Sequence, residues 1–162
     1  MNEELKALLA KQKMDGNLRT RLNKIFDKSC PVTCIDLRGY EHGKRLNIRK
    51  EDLSTLLQIC GEISTLQSLT ISGHELDDSS ALVLAEAIVN MKTLEALNID
   101  SSSIGEQGAI EIVKAIGRHG GIRYVCLHGD GIGNLAADAI AIVVTNNPYI
   151  TRLSVQWKFI SN

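Results

Sequence analysis

Aliphatic residues recur along this chain at a fixed spacing of 28 residues. Leu66, Leu94, Ile122 and Ile150 form one series. Leu69, Leu97, Val125 and Leu153 form a second, Ile71, Ile99, Leu127 and Val155 a third, and Leu76, Ile104, Ile132 and Ile160 a fourth. Around the second and third series apolar and polar residues alternate with period two. That alternation predicts a strand with its apolar side chains on one face. The later half of each unit changes to helical spacing. Ala81, Leu84, Ala85 and Ile88 share one face, as do Ala109, Ile112, Val113 and Ile116, and then Ala137, Ile140, Ala141 and Val144. The small residue at the start of each face lets the helix sit close to its strand. Each unit therefore predicts a strand, a small polar turn and a returning helix.

This spacing, L-x-x-L-x-L-x-x-N/C-x-L, resembles that of leucine-rich repeats. With a whole helix per unit, it is similar to the ribonuclease-inhibitor-like subfamily. The phrases Ile104-Gly105-Glu106-Gln107-Gly108-Ala109 and Ile132-Gly133 are close to that subfamily's "IG-x-x-GA". The resemblance covers about residues 30–160. It implies a right-handed α/β solenoid with parallel strands on the concave face and helices on the convex face. The usual Asn or Cys after the strand is replaced by His74, Ser102, Asp130 and Lys158. The first three can satisfy backbone groups in the bend; Lys158 cannot accept a hydrogen bond there.

The two ends depart from the repeat. Val32, Ile35 and Leu37 fit the strand pattern only if six residues are inserted before Ile48, within Arg38–Asn47. That stretch is polar and holds two glycines, which predicts a protruding loop. Upstream, Leu5, Leu8 and Leu9, then Leu18, Leu22, Ile25 and Phe26, have helical spacing broken near Asp15–Asn17. They predict a helical cap over residues 1–29, ahead of repeats over residues 30–162, in one structural domain. The repeats comprise four strand–helix units and a final strand. At the far end, Ile142 stands where Glu86 and Lys114 stand in earlier units, and Trp157, Phe159 and Ile160 follow the last strand. A tail that folds back as its own cap is the favoured reading. Self-association through the C-terminal strand edge competes with it.

Composition narrows the function. Across 162 residues, 44% are apolar and 23% charged, enough to bury a core. The formal charge of -1 and an aromatic content of 4% argue against a nucleic-acid partner. No apolar stretch approaches a membrane span, and the start of the chain lacks the apolar run of a signal peptide. A cytoplasmic location is expected, or the host cytoplasm for a secreted bacterial effector. Cys30, Cys34, Cys60 and Cys126 contain no CxxC pair. Neither a metal nor any other cofactor is therefore expected.

Positions between the apolar strand anchors face away from the helices. Across the strands these rows read Cys34, Ser68, Ala96, Tyr124, Arg152, then Asp36, Thr70, Asn98, Cys126, Ser154, then Arg38, Ser72, Asp100, His128, Gln156. Tyr124, His128, Arg152 and Trp157 gather toward the C-terminal end, with Asp100 and Asn98 beside them. Tyr, Trp and Arg are the usual anchors of protein interfaces. These six residues are the expected binding surface for a protein or peptide, and no catalytic residue is assigned. Cys126, His128 and Asp100 nominally form a Cys–His–Asp set. The open surface and the lack of an oxyanion site argue against catalysis there. The competing reading is a regulator of an enzyme, a small-GTPase activator or an inhibitor that plugs an active site.

Overall fold

A 28-residue period means that each strand can pair with the next in constant register, and it does. The computed structural model describes residues 10, 22–23, 31–41, 44–45, 48–100, 103–129 and 133–157. Most of the expected N-terminal cap therefore lies outside the described residues. So do the bend residues Ser102, Asp130 and Lys158 and the tail residues Phe159 and Ile160.

The elements in chain order are β1 (Cys34–Arg38), β2 (Tyr40–Glu41), β3 (Lys44–Arg45), α1 (Lys50–Gly61), β4 (Ser68–Ser72) and α2 (Asp78–Asn90). They continue with β5 (Ala96–Asp100), α3 (Glu106–His119), β6 (Tyr124–Gly129), α4 (Asn134–Asn146) and β7 (Arg152–Trp157). The fold is α/β and solenoid-like. Five parallel strands in the order β1-β4-β5-β6-β7 alternate with helices along the chain. Ser68 pairs with Ala96, Ala96 with Tyr124 and Tyr124 with Arg152, each an offset of 28. Cys34 pairs with Ser68, an offset of 34 (68 − 34), so the six extra residues fall where the sequence placed them. They do not form a simple loop: β2 and β3 fold as a two-stranded antiparallel ribbon.

The core lies between sheet and helices. Leu69, Ile71, Leu97, Ile99, Val125 and Leu127 are buried from the strands, and Leu84, Ile88, Ile112 and Ile116 from the helices. Leu22, ahead of β1 in the chain, is buried in the same core. α4 differs from the expected pattern. Ile140 is buried, but Ala141 and Val144 are exposed and Ala137 is half-buried. No following unit lies against α4 among the described residues, so the positions that α2 and α3 press onto a neighbour meet none.

Successive units are tied by polar contacts as well. His74 is buried, and its Nε2 donates to the Leu37 carbonyl at 2.8 Å. It thus serves the backbone of the neighbouring strand β1, whereas its position in the repeat predicts a contact with the bend. The helix starts are tied by a relay. Asp78 Oδ1, on the first residue of α2, accepts from the amides of Gly105 at 2.8 Å and Gly108 at 3.1 Å, at the start of α3. Glu106 Oε1, on the first residue of α3, accepts from Leu135 N at 2.8 Å, at the start of α4. Helix N-termini carry amides with no partner inside the helix. Here the preceding unit supplies the acceptors, and its negative charge also suits the positive helix end.

Lys50 holds the corresponding place in α1 and cannot accept. It donates instead to Asp77 Oδ2 at 2.5 Å, and Asp77 caps its own helix through Ser80 N at 3.0 Å. Burial pulls the Asp77 carboxyl upward. Hydrogen bonds from Lys50, the Ser80 amide and Ser79 outweigh it and hold the group well below the usual carboxylate range. A depressed carboxyl contributes stability that is full above its unfolded value, about 3.9. That contribution is lost as pH falls below it. Asp77→Asn should flatten the acid limb of stability in urea titrations run from neutral pH downward.

Gly108 gives a sharper test, because propensity and packing disagree. Gly to Ala within a helix normally stabilises by roughly 1 kcal/mol. A Cβ on Gly108 would sit 2.5 Å from Asp78 Oδ1 and 2.9 Å from the Ala81 Cβ. Gly108→Ala should therefore destabilise, by about 1–3 kcal/mol, and not stabilise. Urea unfolding of the variant checks the sign.

Candidate functional site

The helix-free face of the sheet is built by strand alternation alone. Because the strands are parallel and in register, equivalent residues stand in straight rows about 4.8 Å apart. Tyr124 pairs in register with Arg152, Asp100 with His128, and Asn98 with Cys126. Trp157, at the end of β7, is the register partner of Gly129. The structure thus brings Tyr124, His128 and Arg152 together on two adjoining strands, with Asp100 and Asn98 on the next.

Side-chain size rises toward β7 in the first row. It runs from a small, exposed Cys34 through Ser68 and Ala96, both half-buried, to Tyr124 at 48% exposure and an exposed Arg152. At the opposite margin, Arg38 grips Asp36 through its Nε at 2.8 Å and its Nη2 at 2.5 Å. That pair neutralises itself and leaves Arg152 as the cation at the large-residue end of the first row.

The central polar residues form short contacts in a different pattern from the one their order suggests. Cys126 Sγ lies 3.4 Å from His128 Nε2, and the same nitrogen lies 3.2 Å from Ser154 Oγ. Asp100 takes its hydrogen bond from Ser72 Oγ at 3.4 Å, along its own row but away from His128. The carboxylate is therefore not the group that orients the imidazole, and the nominal Cys–His–Asp set is not assembled as such. Ser154 was missed as a member of this cluster. Its signal was its place in the Asn98–Cys126 row. Burial pushes the Cys126 thiol up, the Asp100 charge pushes it further, and a hydrogen bond with Ser154 opposes both. A thiol raised in this way stays protonated at neutral pH and is a poor nucleophile. Asn98 Oδ1, also in this row, is buried without a hydrogen-bond partner. Among the described residues no group of three or more His, Cys, Asp or Glu side chains is placed to hold a metal ion.

A cleft of about 290 Å³ opens on the side of the strand-to-helix turns, between the first two units. It holds Arg49, Lys50, His74, Glu75 and Asp77. Arg49 is paired with Asp52 and Lys50 with Asp77, so both cations are already engaged. No helix among the described residues is long and apolar enough to cross a membrane.

No family model and no curated protein matches the chain. Solved structures do. One is described as leiomodin-1 actin-binding site 2, with a TM-score of 0.71 and 17% identity, covering 90% of this chain and 82% of that one. Another is the tropomodulin C-terminal domain from Caenorhabditis elegans, with a TM-score of 0.66 and 12% identity, covering 96% and 84%. The identities are low, so the likeness is one of fold. These neighbours correct the resemblance drawn from the repeat. The chain is not assigned to leucine-rich repeat proteins or to their ribonuclease-inhibitor-like subfamily. The physical reason is that aliphatic spacing records the length of a strand–helix unit and the faces it buries, and these constrain period more than ancestry.

The thiols offer a direct check on the site's geometry. Cys34 is exposed, Cys126 half-buried, and Cys60 fully buried with its thiol pushed up to about 12. Alkylation at neutral pH followed by mass spectrometry should label Cys34 first and Cys126 more slowly. Cys60 should react only on unfolding. Cys126 labelling faster than Cys34 would mean an activated thiolate and would overturn this account of the cluster.

Proposed function

We propose that this chain is a non-catalytic protein-binding module. Its helix-free sheet face, the concave side of a right-handed coil on this reading, holds the partner. One observation carries the proposal. Tyr124 and Arg152 stand side by side at the end of a row whose other members are small, so a large exposed anchor pair borders a shallow, small-residue floor. Buried aromatic and arginine anchors flanked by near-neutral contacts are how protein interfaces concentrate their binding energy. His128, Asp100 and Asn98 supply polar contacts along the same face, and Trp157, the last residue of β7, is a further candidate anchor on this reading. Residues 1–29 act as a helical cap on this reading, which the burial of Leu22 supports.

Actin is the first partner to test, because the similar leiomodin-1 structure is described as an actin-binding site. Binding of the purified chain to monomeric and filamentous actin, by calorimetry and by co-sedimentation, is the experiment. Tyr124→Ala and Arg152→Ala should each weaken binding by about 1 kcal/mol or more, roughly fivefold. Glu86→Ala, on the exposed side of α2, should leave it unchanged. Full affinity in both face variants with loss in the Glu86 variant would place the interface on the helices. If neither form of actin binds, the same three variants are to be compared on partners retained in a pull-down.

A further inference from the structure

The two margins of the sheet carry opposite charge. Where strands lead into helices, the stretches 72–78, 100–106 and 128–134 hold Glu75, Asp77, Asp78, Asp100, Glu106 and Asp130, and neither Lys nor Arg. Where helices lead into strands, the stretches 89–95, 117–124 and 145–152 hold Lys92, Arg118, Arg123 and Arg152 against Glu95 alone. The fold does not ask for these arginines. One unit before and after Arg118 stand Asn90 and Asn146; Glu95 and Thr151 stand in the places of Arg123, and Tyr124 in that of Arg152. α1, α2 and α4 end with no basic residue in the last turn, so the negative end of a helix here does not require Arg118. Arg118, Arg123 and Arg152 are all exposed. None of the three forms an ion pair or a side-chain hydrogen bond among the described residues, with Glu95 or any other group.

The backbone beneath them is held in place. The Arg123 carbonyl accepts from the amides of Thr151 at 2.9 Å and Arg152 at 3.1 Å, which sets these residues side by side. His119 pins the loop between α3 and β6: its Nε2 donates to the Met91 carbonyl at 2.7 Å, and its Nδ1 accepts from the Gly121 amide at 3.1 Å. Gly120 ends α3 at a left-handed φ of 68°, and a Cβ there would meet nothing within 4 Å, so the surface between Arg118 and Arg123 is open. Tyr124 and Tyr149, 48% and 55% exposed, stand along the same margin.

We infer that this margin docks an acidic segment of a partner protein, with Arg118, Arg123 and Arg152 holding its carboxylates and the two tyrosines its apolar side chains. The inference rests on the reading of the sheet face as a protein-binding surface, shares Tyr124 and Arg152 with it, and names the partner's chemistry. Charge complementarity selects the occupant. A guanidinium presents a planar fork that matches a carboxylate with two parallel hydrogen bonds. These three are not engaged elsewhere, so no internal ion pair is broken when they bind. The acidic opposite margin repels the same partner and so sets the side on which it lands. It also favours a short acidic segment over a nucleic acid, whose continuous backbone charge would run past the arginines onto Glu95 and the carboxylates beyond.

Fluorescence anisotropy of the full chain with a labelled all-glutamate peptide tests this, beside an all-glutamine peptide of equal length and a single-stranded DNA of equal charge. Arg118→Gln and Arg123→Gln each remove one cation from the margin. Lys114→Gln makes the same change of charge at an exposed residue of α3 away from it. All three sites are exposed, and equal melting temperatures exclude a folding defect. The expected result is binding of the glutamate peptide by the parent and by Lys114→Gln, weakening as salt rises. Each arginine variant should bind about threefold more weakly, and the double variant about tenfold. Glutamate binding no tighter than glutamine binding at low salt overturns the inference. So does an equal loss in Lys114→Gln, or tighter binding of the DNA than of the peptide. The face itself is read separately, through Tyr124→Ala and Arg152→Ala on a partner protein. A partner that loses affinity for those two variants but keeps it for Arg118→Gln and Arg123→Gln sinks this inference and leaves the protein-binding reading standing.

Discussion

The last two helices in this stack, α3 and α4, depend on the unit before them for acceptors that their first amides need. Asp78 serves the start of α3, and Glu106 serves the start of α4. A carboxylate at the first position of one helix reaches the next only if units advance by a constant step. The 28-residue offset between strands provides that step. The polar relay and the apolar core thus impose the same period from opposite sides of the structure. Gly105 and Gly133 belong to the same constraint. A Cβ at either would meet the incoming carboxylate at 2.7 Å or closer.

The constant step also makes the sheet surface. With every strand in register, side chains between the apolar anchors align in rows, and whatever the sequence places at one row position becomes one strip of surface. That is why Tyr124 and Arg152, 28 residues apart, stand together as neighbours. It is also why the six-residue insertion does no harm. The extra residues leave the ladder after β1, fold as the β2–β3 ribbon, and let the chain rejoin at α1.

Where the period ends, the physics changes. α4 has the same helical spacing as α2 and α3, yet it leaves Ala141 and Val144 in solvent. Burial of those positions is a property of two neighbouring units and not of one. The same holds for Leu153 beside its sealed partner Val125.

The sequence by itself determined the period, the strand and helix in each unit, the register of the sheet and the membership of its surface rows. Local alternation and helical spacing are properties of short segments, and a constant offset fixes which segments become neighbours. What only the tertiary structure decided is which atoms meet. His128 turns one nitrogen between Cys126 and Ser154, and Asp100 bonds Ser72. Side-chain torsions choose among several partners at similar reach, and no spacing rule ranks them. The relay through Asp78 and Glu106 also appeared only in three dimensions, because an acidic first residue looks the same whether it serves its own helix or the next. Aliphatic spacing suggested a family that the structural neighbours did not bear out, since burying the same faces demands the same spacing from any strand–helix unit of this length.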